Sequence, residues 1–446
     1  MNLIVISVDT LRADHMSLYG YPRRTTPYID AFAESAVIFD RARAPWPKTV
    51  PSMLSMFTSR PPHVTGVMFG SRGHYIQDQE LLLAEIAKEQ GLRTGAVISN
   101  SVLGGATNFG QGFDDYIETY KILRGKPGYR ADTVTSAAIQ WLRGQDLDKP
   151  FFLWVHYVDP HATYDPPSEH SEVFFNDDLY DATNLRLNDD TNFNHGIAGR
   201  YWRRNGGQRE LGWYVANYDG EISYTDAEIG RLLKTIEEHN LLSNSAVILT
   251  ADHGESLGEH NYYFEHGWYP YNATAWIPFV FYWPTVSNPG THITYPVSLV
   301  NLVPTIVELM NWHVEEPIPF HGHSLMPVLH GDRDRVDDYV TVEAGEGGLQ
   351  PNEFLRSIEN GRWKLIHVPN EKYQRGMQKM PYELYEVRSD PMETHNVVGK
   401  HPELVELLKK LLAERTADLS PIGNRSQVPA YSKEEIENLR ALGYIR

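Results

Sequence analysis

Over roughly the first 310 residues, short uninterrupted apolar runs alternate with stretches in which apolar residues recur every third or fourth position. The runs "LIVISVD", "RTGAVIS", "FFLWVHYV", "AVILTAD" and "IPFVFYW" have the length of strands buried on both faces. Between them, "QELLLAEIAKEQ", "ADTVTSAAIQWL", "DGEISYTDAEIGRLLKTIEE" and "VSLVNLVPTIVELM" carry helical spacing. The alternation predicts an α/β unit, a mostly parallel sheet wrapped by helices. Chemistry on such a sheet collects at the carboxyl ends of the strands. Asp9, His156, Asp252 and His253 all fall there.

Two departures from this pattern divide the chain. From Pro166 to about Gly212 the periodicity fails and Asn, Asp, Arg and aromatic residues dominate, which reads either as a lid or binding loop or as a solvated excursion. After about Gly331 short strands with turns follow, "FLRSIENGRWKLIHV" and "YELYEVRSDP", and then the helix "HPELVELLKKLLAERTADL". The expected organisation is a catalytic domain over 1–330, with the insert at about 166–212, and a small α+β subdomain over 331–446. A chain of 446 residues is also too long for one ordinary core.

Composition narrows the chemistry. A net charge of −18 argues against nucleic acid or an anionic membrane as main partner, and leaves clustered carboxylates in want of cations. There is no cysteine, so disulfides, thiolate zinc sites and cysteine nucleophiles are excluded. No stretch reaches the ~18 apolar residues of a membrane helix. With Met1 as the native start the expected location is the cytoplasm. Twenty-six tyrosines and ten tryptophans suit an aromatic or sugar-lined pocket, and equally suit core and interface packing, so that a homo-oligomer is compatible with the sequence.

In "ILTADHGESLGEH" a buried strand delivers Asp252 and His253 together, and Gly254 suits a tight turn beside a ligand. Carboxylate and imidazole side by side suit zinc or manganese, though a helix cap plus a structural histidine would read the same. Asp9 at the end of "LIVISV" is either an N-cap or a third ligand from the same sheet. "TVPSMLSMFTS" puts Thr49 at the N-cap of a helix, with Pro51 in the first turn and Ser52 nearby. The hydroxyl of Thr49 either caps that helix or, beside a cation at a positive helix end, attacks an anionic centre. His161 in "HYVDPHATYDPP" and His266 in "YFEHGWYPY" lie near those candidates, as substrate or second-metal contacts or as surface or core histidines.

Together, "ISVDTLRADHMSLYGY", "TVPSMLSMFTSR", "GLRTGAVISN", "HYVDPHATYDPP" and "TADHGESLGEH" resemble the sulfatase family of the alkaline phosphatase superfamily, and the resemblance runs nearly end to end. It implies an alkaline-phosphatase-like doubly wound α/β domain with a small C-terminal antiparallel sheet. It also implies a metal held by Asp9, Asp252 and His253, with residue 49 as ligand and nucleophile. Sulfatases carry Cys or Ser, oxidised to formylglycine, where this chain has Thr49, and arginine where it has Met53. Thr10 stands at the place of a second ligating aspartate, and "SNS" around Asn100 replaces a Lys-X-His anion contact. At several points the chain is similar to the superfamily's threonine-type branch, which includes phosphoethanolamine transferases and lipoteichoic acid synthases.

A sulfated formylglycine hydrate expels sulfate by collapsing its second hydroxyl to an aldehyde. Thr49 has no second hydroxyl, so its adduct must be released by water attacking the central atom, a route natural to phosphorus. The expectation is therefore a metal-dependent hydrolase of phosphate mono- or diesters or phosphonate monoesters, acting on a small anionic ester. Asp9, Thr49, Asp252 and His253 hold a divalent ion in this reading, zinc or manganese first and calcium next. His161 and His266 bind a second ion or move protons, Asn100 donates to a substrate oxygen, and Arg203 and Arg204 recognise the remainder of the substrate. The alternatives are a sulfatase working without formylglycine, a catalytically silent metal-binding protein, and a phosphate mutase.

Overall fold

The computed structural model describes residues 1–67, 75–122, 130–175, 177–183, 186–187, 207–286, 288–314, 320–331, 339–345, 349, 351–374, 380–417 and 431–442. Its main sheet has nine strands: β1 (Asn2–Val8), β2 (Val37–Arg43), β3 (Arg93–Ile98), β4 (Asp115–Glu118), β5 (Phe151–Tyr157), β6 (Ser245–Ala251), β9 (Trp276–Ile277), β10 (Phe279–Tyr282) and β11 (Thr291–Ser298). A two-stranded ribbon of β7 (Ser256–Leu257) and β8 (Tyr263–Glu265) stands apart. The order across the main sheet is β11-β2-β10-β6-β1-β5-β3-β4, with β9 paired to β2. β6, β1, β5, β3 and β4 run parallel. All seven residues of β1, β5 and β6 are buried, which is why these segments read as unbroken apolar runs.

All five predicted strands form, but "IPFVFYW" becomes β10, antiparallel to both of its neighbours. An apolar run carries no direction. β2, β4 and β11 were not expected, because "VIFDRAR", "DYIE" and "THITYPVS" mix polar residues into strands at or near the sheet edges. The helix expected from Asp219 begins earlier, at Leu211, and runs to Glu238. The segment from Pro166 to Gly212 is not structureless where described. It contains the helices Ser168–Ser171 and Asp178–Thr183. Among the described residues, no helix is long and apolar enough to cross a membrane.

A second, antiparallel sheet is built from β12 (Val340–Ala344), β13 (Leu355–Glu359), β14 (Trp363–His367) and β15 (Tyr382–Glu386). Its strands alternate in the two-residue period of the pleat. Ile358, Leu365 and Leu384 face the helix Pro402–Arg415 through Val405, Leu408 and Leu412. The other face puts Leu355, Ile366 and Tyr385 against Tyr262, Tyr269 and Tyr271 of the catalytic layer. The last helix, Lys433–Ala441, returns to the main sheet, where Asn438 Oδ1 accepts a hydrogen bond from Ser101 N at 3.0 Å.

The two sheets are joined by Arg43 of β2, whose guanidinium donates to both oxygens of Glu359 on β13 at 2.7 Å each. Both side chains are buried. Burial alone would raise the Glu359 carboxyl; Arg43, Lys364 and Arg41 outweigh it and hold it below the usual range. A Glu359→Ala change should cost ~3–5 kcal/mol in urea unfolding, because Arg43 is left charged and unpaired in the interior. Removing Glu386, whose pairing with Arg362 is exposed, should leave the midpoint unchanged. The Glu359 contribution should be complete above the unfolded glutamate pKa of about 4.3 and fade as pH falls through the lower folded value.

Candidate metal centre and active site

The site forms where β1 and β6 end. The two strands are parallel neighbours with Val8 level with Ala251, so the next residues, Asp9 and Asp252, emerge side by side. Asp252 Oδ1 is held by backbone amides, accepting from Thr10 N at 3.1 Å and His253 N at 2.8 Å. Thr10 reaches that oxygen with φ of 58°, a left-handed conformation costly for a β-branched residue. Gly254 then passes so close to Ala273 that a Cβ would run into its carbonyl oxygen. Asp9 Oδ2 is fixed from the neighbouring strands, accepting from Asn100 Nδ2 at 2.7 Å and facing His156 Nε2 at 3.8 Å.

These contacts leave Asp9 Oδ1, Asp252 Oδ2 and Thr10 Oγ1 buried without hydrogen-bond partners among the described residues. His253 donates through Nδ1 to its neighbour Gly254's carbonyl at 2.8 Å, which turns an unprotonated Nε2 toward the acids. That nitrogen lies 3.7 Å from Asp9 Oδ1 and 3.5 Å from Asp252 Oδ2. One ligand atom from each of Asp9, Asp252 and His253 lies within 4.8 Å of the others. Orphaned carboxylate oxygens around an imidazole lone pair fit a divalent cation, and burying them otherwise would be costly.

The electrostatics agree. Burial would raise the Asp9 carboxyl, but the nearby rings of His156, His161 and His253 bring it down to about 2. Asp252 is pushed well up, by burial and then by the charge of Asp9. Burial lowers His253 to about 4, and lowers His266 further, with His253, His161 and Lys48 adding to the effect. The protein alone thus keeps one acid charged, the other resisting charge, and both rings neutral, which a dication would rebalance.

Thr49 is not the N-cap. Lys48 holds that position, and Thr49 is the first residue of the helix Thr49–Thr58. Its Oγ1 lies 3.2 Å from His253 Nε2. Ser52 Oγ donates to the Asp252 carbonyl at 2.6 Å and ties the first turn of this helix to the metal loop. His266 packs on His253 at 4.4 Å between ring centres, and His161 packs on His266 at 5.2 Å. The structure therefore brings Asp9, Thr49, Asp252, His253, His161, His266 and Asn100 together. Asn100 lies there as a holder of Asp9, and its Oδ1 also accepts from Val102 N at 3.1 Å. Arg203 and Arg204 lie outside the described residues.

Three neighbours were not singled out as site residues by the sequence. His156 was placed at a strand end without a role. Lys48 adjoins Thr49 in "PWPKTV", and only the fold shows that it is buried. Glu255 is fully buried, with Oε1 3.2 Å from His266 Nδ1, and burial pushes its carboxyl well up. Its signal was the acid two places after His253, which looks the same in a surface turn.

A direct check is thermal unfolding with and without zinc or manganese. At a metal concentration ~100 times Kd the protein should gain about 2.7 kcal/mol. Asp252→Asn should abolish that gain. The metal-free variant should unfold at or above the wild-type temperature, because the repulsion between Asp9 and Asp252 is gone.

Comparison with known proteins places this geometry. The family model Sulfatase matches residues 1–312, and that of N-sulphoglucosamine sulphohydrolase, C-terminal, matches residues 258–419. N-acetylglucosamine-6-O-sulfatase of Bacteroides thetaiotaomicron is 24% identical, over 92% of this chain and 86% of its own. The solved structure of BT4656 in complex with D-glucosamine-2-N,6-O-disulfate superposes with a TM-score of 0.75 at 20% identity, over 94% of this chain and 99% of its own. The phosphonate monoester hydrolase of Agrobacterium radiobacter superposes with a TM-score of 0.73 at 19% identity, over 94% of this chain and 96% of its own. The relatives point mainly to sulfate esters, where residue 49 alone pointed to phosphorus. With the first of these models running through all three residues of the acid–histidine cluster, this chain belongs to the sulfatase family of the alkaline phosphatase superfamily, as a metal-binding α/β hydrolase.

Proposed function

We propose that the protein hydrolyses sulfate esters of small molecules, with Thr49 as nucleophile. The observation that carries this reading is Thr49 Oγ1 at a helix N-terminus, 3.2 Å from His253 Nε2 of the acid–histidine cluster. Asp9, Asp252, His253 and Thr49 would hold a divalent ion, which would supply a lowered hydroxyl pKa and neutralise charge on the transferred group. Thr49 Oγ1 bonds to sulfur as the ester oxygen leaves. The leaving alcohol takes up a proton relayed by His161 or His266. Water then bonds to sulfur, the bond to Oγ1 breaks, and Oγ1 regains its proton. Glu255 Oε1, 3.2 Å from His266 Nδ1, orients the ring for the second step. The solved relative bound to a disulfated glucosamine makes sulfated sugars the first class to try.

A second reading keeps the residues and changes the central atom. Thr49 carries one hydroxyl, so release depends on attack at that atom, which phosphate and phosphonate esters permit more readily than sulfate. Matched aryl sulfate, phosphomonoester, phosphodiester and phosphonate monoester substrates separate the two, assayed with metal-loaded wild type and Thr49→Ala. The sulfate ester should have the highest kcat/KM, and the variant should lose at least about a thousandfold. A preferred phosphorus ester would install the second reading. Activity surviving in the variant would remove Thr49 from the chemistry, and hydrolysis of none by wild type would leave a silent metal-binding protein.

A further inference from the structure

Asn100 meets Asp9 from a turn that is itself held from outside. It stands at the N-cap of the short 3₁₀ turn Ser101–Leu103, and its side-chain amide is divided between two tasks. Oδ1 accepts from Val102 N at 3.1 Å, which sets the amide plane, and Nδ2 donates to Asp9 Oδ2 at 2.7 Å. Where Asn100 sits therefore depends on where the turn sits. The turn closes through Leu103 N to the Asn100 carbonyl at 3.1 Å and Gly104 N to that of Ser101 at 3.0 Å. The first amide, Ser101 N, has no acceptor inside the turn, as at the start of any helix. Asn438 supplies one from 337 positions along the chain, its Oδ1 accepting from Ser101 N at 3.0 Å.

Ser101 is fully buried and Asn438 nearly so, and the bond between them is shielded from water. The helix that carries Asn438, Lys433–Ala441, has nine residues, too few to persist alone in water. It persists by docking. Leu439 enters the main core, Glu435 Oε1 lies 3.1 Å from Lys121 Nζ, and Ser432 Oγ closes the helix start by accepting from Glu435 N at 3.2 Å. Forming this helix and seating Asn438 on Ser101 are one event.

We propose that Asn438 is a positioning residue of the metal centre and couples the docking of its helix to the hold on the cation. With Asn438 in place the turn fixes Asn100, and Asn100 fixes one oxygen of Asp9 while the other, Oδ1, stands 3.7 Å from His253 Nε2. Without it a buried amide loses its acceptor, the turn shifts to recover one, and the restraint on Asp9 slackens. Coupling of this kind is reciprocal: if docking raises metal affinity, metal tightens docking by the same factor. The inference rests on the metal centre and is independent of Thr49 as nucleophile.

The test is zinc affinity by chelator competition in wild type, Asn438→Ala, Asn438→Asp and Leu408→Ala, with hydrogen exchange of residues 432–442 followed with and without zinc. Asn438→Ala should bind zinc about three- to tenfold more weakly, and Asn438→Asp, which keeps an acceptor oxygen for Ser101 N, should stay within about twofold of wild type. Leu408→Ala, which empties the packing of the helix Pro402–Arg415 on the second sheet, should lower the unfolding temperature without moving zinc affinity. Zinc should slow exchange of the docked helix about threefold or more in wild type and leave it unchanged in Asn438→Ala. Zinc affinity unchanged in Asn438→Ala would overturn the proposal. So would an equal fall in Leu408→Ala, which marks general loosening, or exchange of the helix indifferent to zinc. A wild type that takes up no zinc would remove the metal centre and this inference together. A protein that shows the coupling yet hydrolyses nothing would sink the hydrolase reading and spare this one.

Discussion

Two carboxylates, Asp9 and Asp252, are buried side by side, and the protein alone cannot comfortably ionise both. Burial and mutual repulsion push Asp252 up while the surrounding histidines hold Asp9 down. Much of the architecture serves to keep these groups where water would otherwise relieve them. Central strands fix the backbone, amides of Thr10 and His253 restrain one oxygen of Asp252, and Asn100 restrains one of Asp9. The oxygens left over are the ones that converge with His253 Nε2. A site of this kind stores electrostatic cost in the fold and recovers it when a cation arrives.

The same constraint explains why the nucleophile comes from another part of the chain. Helix Thr49–Thr58 lies outside the strands that supply the acids, and Ser52 stitches its first turn to the carbonyl of Asp252. The second sheet does comparable work at a distance. Through Tyr262, Tyr269 and Tyr271 it backs the loop that carries His266, and through Phe354 it backs Trp46, three residues before Thr49. Neither sheet touches the reacting atoms by itself, and both set their spacing.

The parallel core was legible because β1, β5 and β6 are buried on both faces, and burial on both faces writes an unbroken apolar run. Asp9, Asp252 and His253 were legible for a related reason, since each follows such a run directly. The reversed direction of β10 was not, because pairing direction leaves no trace in composition. β2 and β11 hid behind polar residues such as Asp40 and His292, which bond to each other at 2.7 Å across neighbouring strands. Thr49 was found by its helix start but misplaced by one position, since Lys48 lacks the side chain of an ordinary cap. Lys48 and Glu255 escaped because a lysine or glutamate near a turn usually faces water, and only the packed structure shows these two buried.

The last helix has a bearing on how the protein is made. Its Asn438 holds the amide of Ser101, beside the Asn100 that restrains Asp9, and Glu435 lies 3.1 Å from Lys121. An acid delivered by β1 is thus steadied, at one remove, by a helix from far along the chain. The central strands can form before that helix docks, yet the support around Asp9 is complete only once it has. Until then the acids stand without their full restraint, so that a finished metal site reports long-range docking as well as local folding.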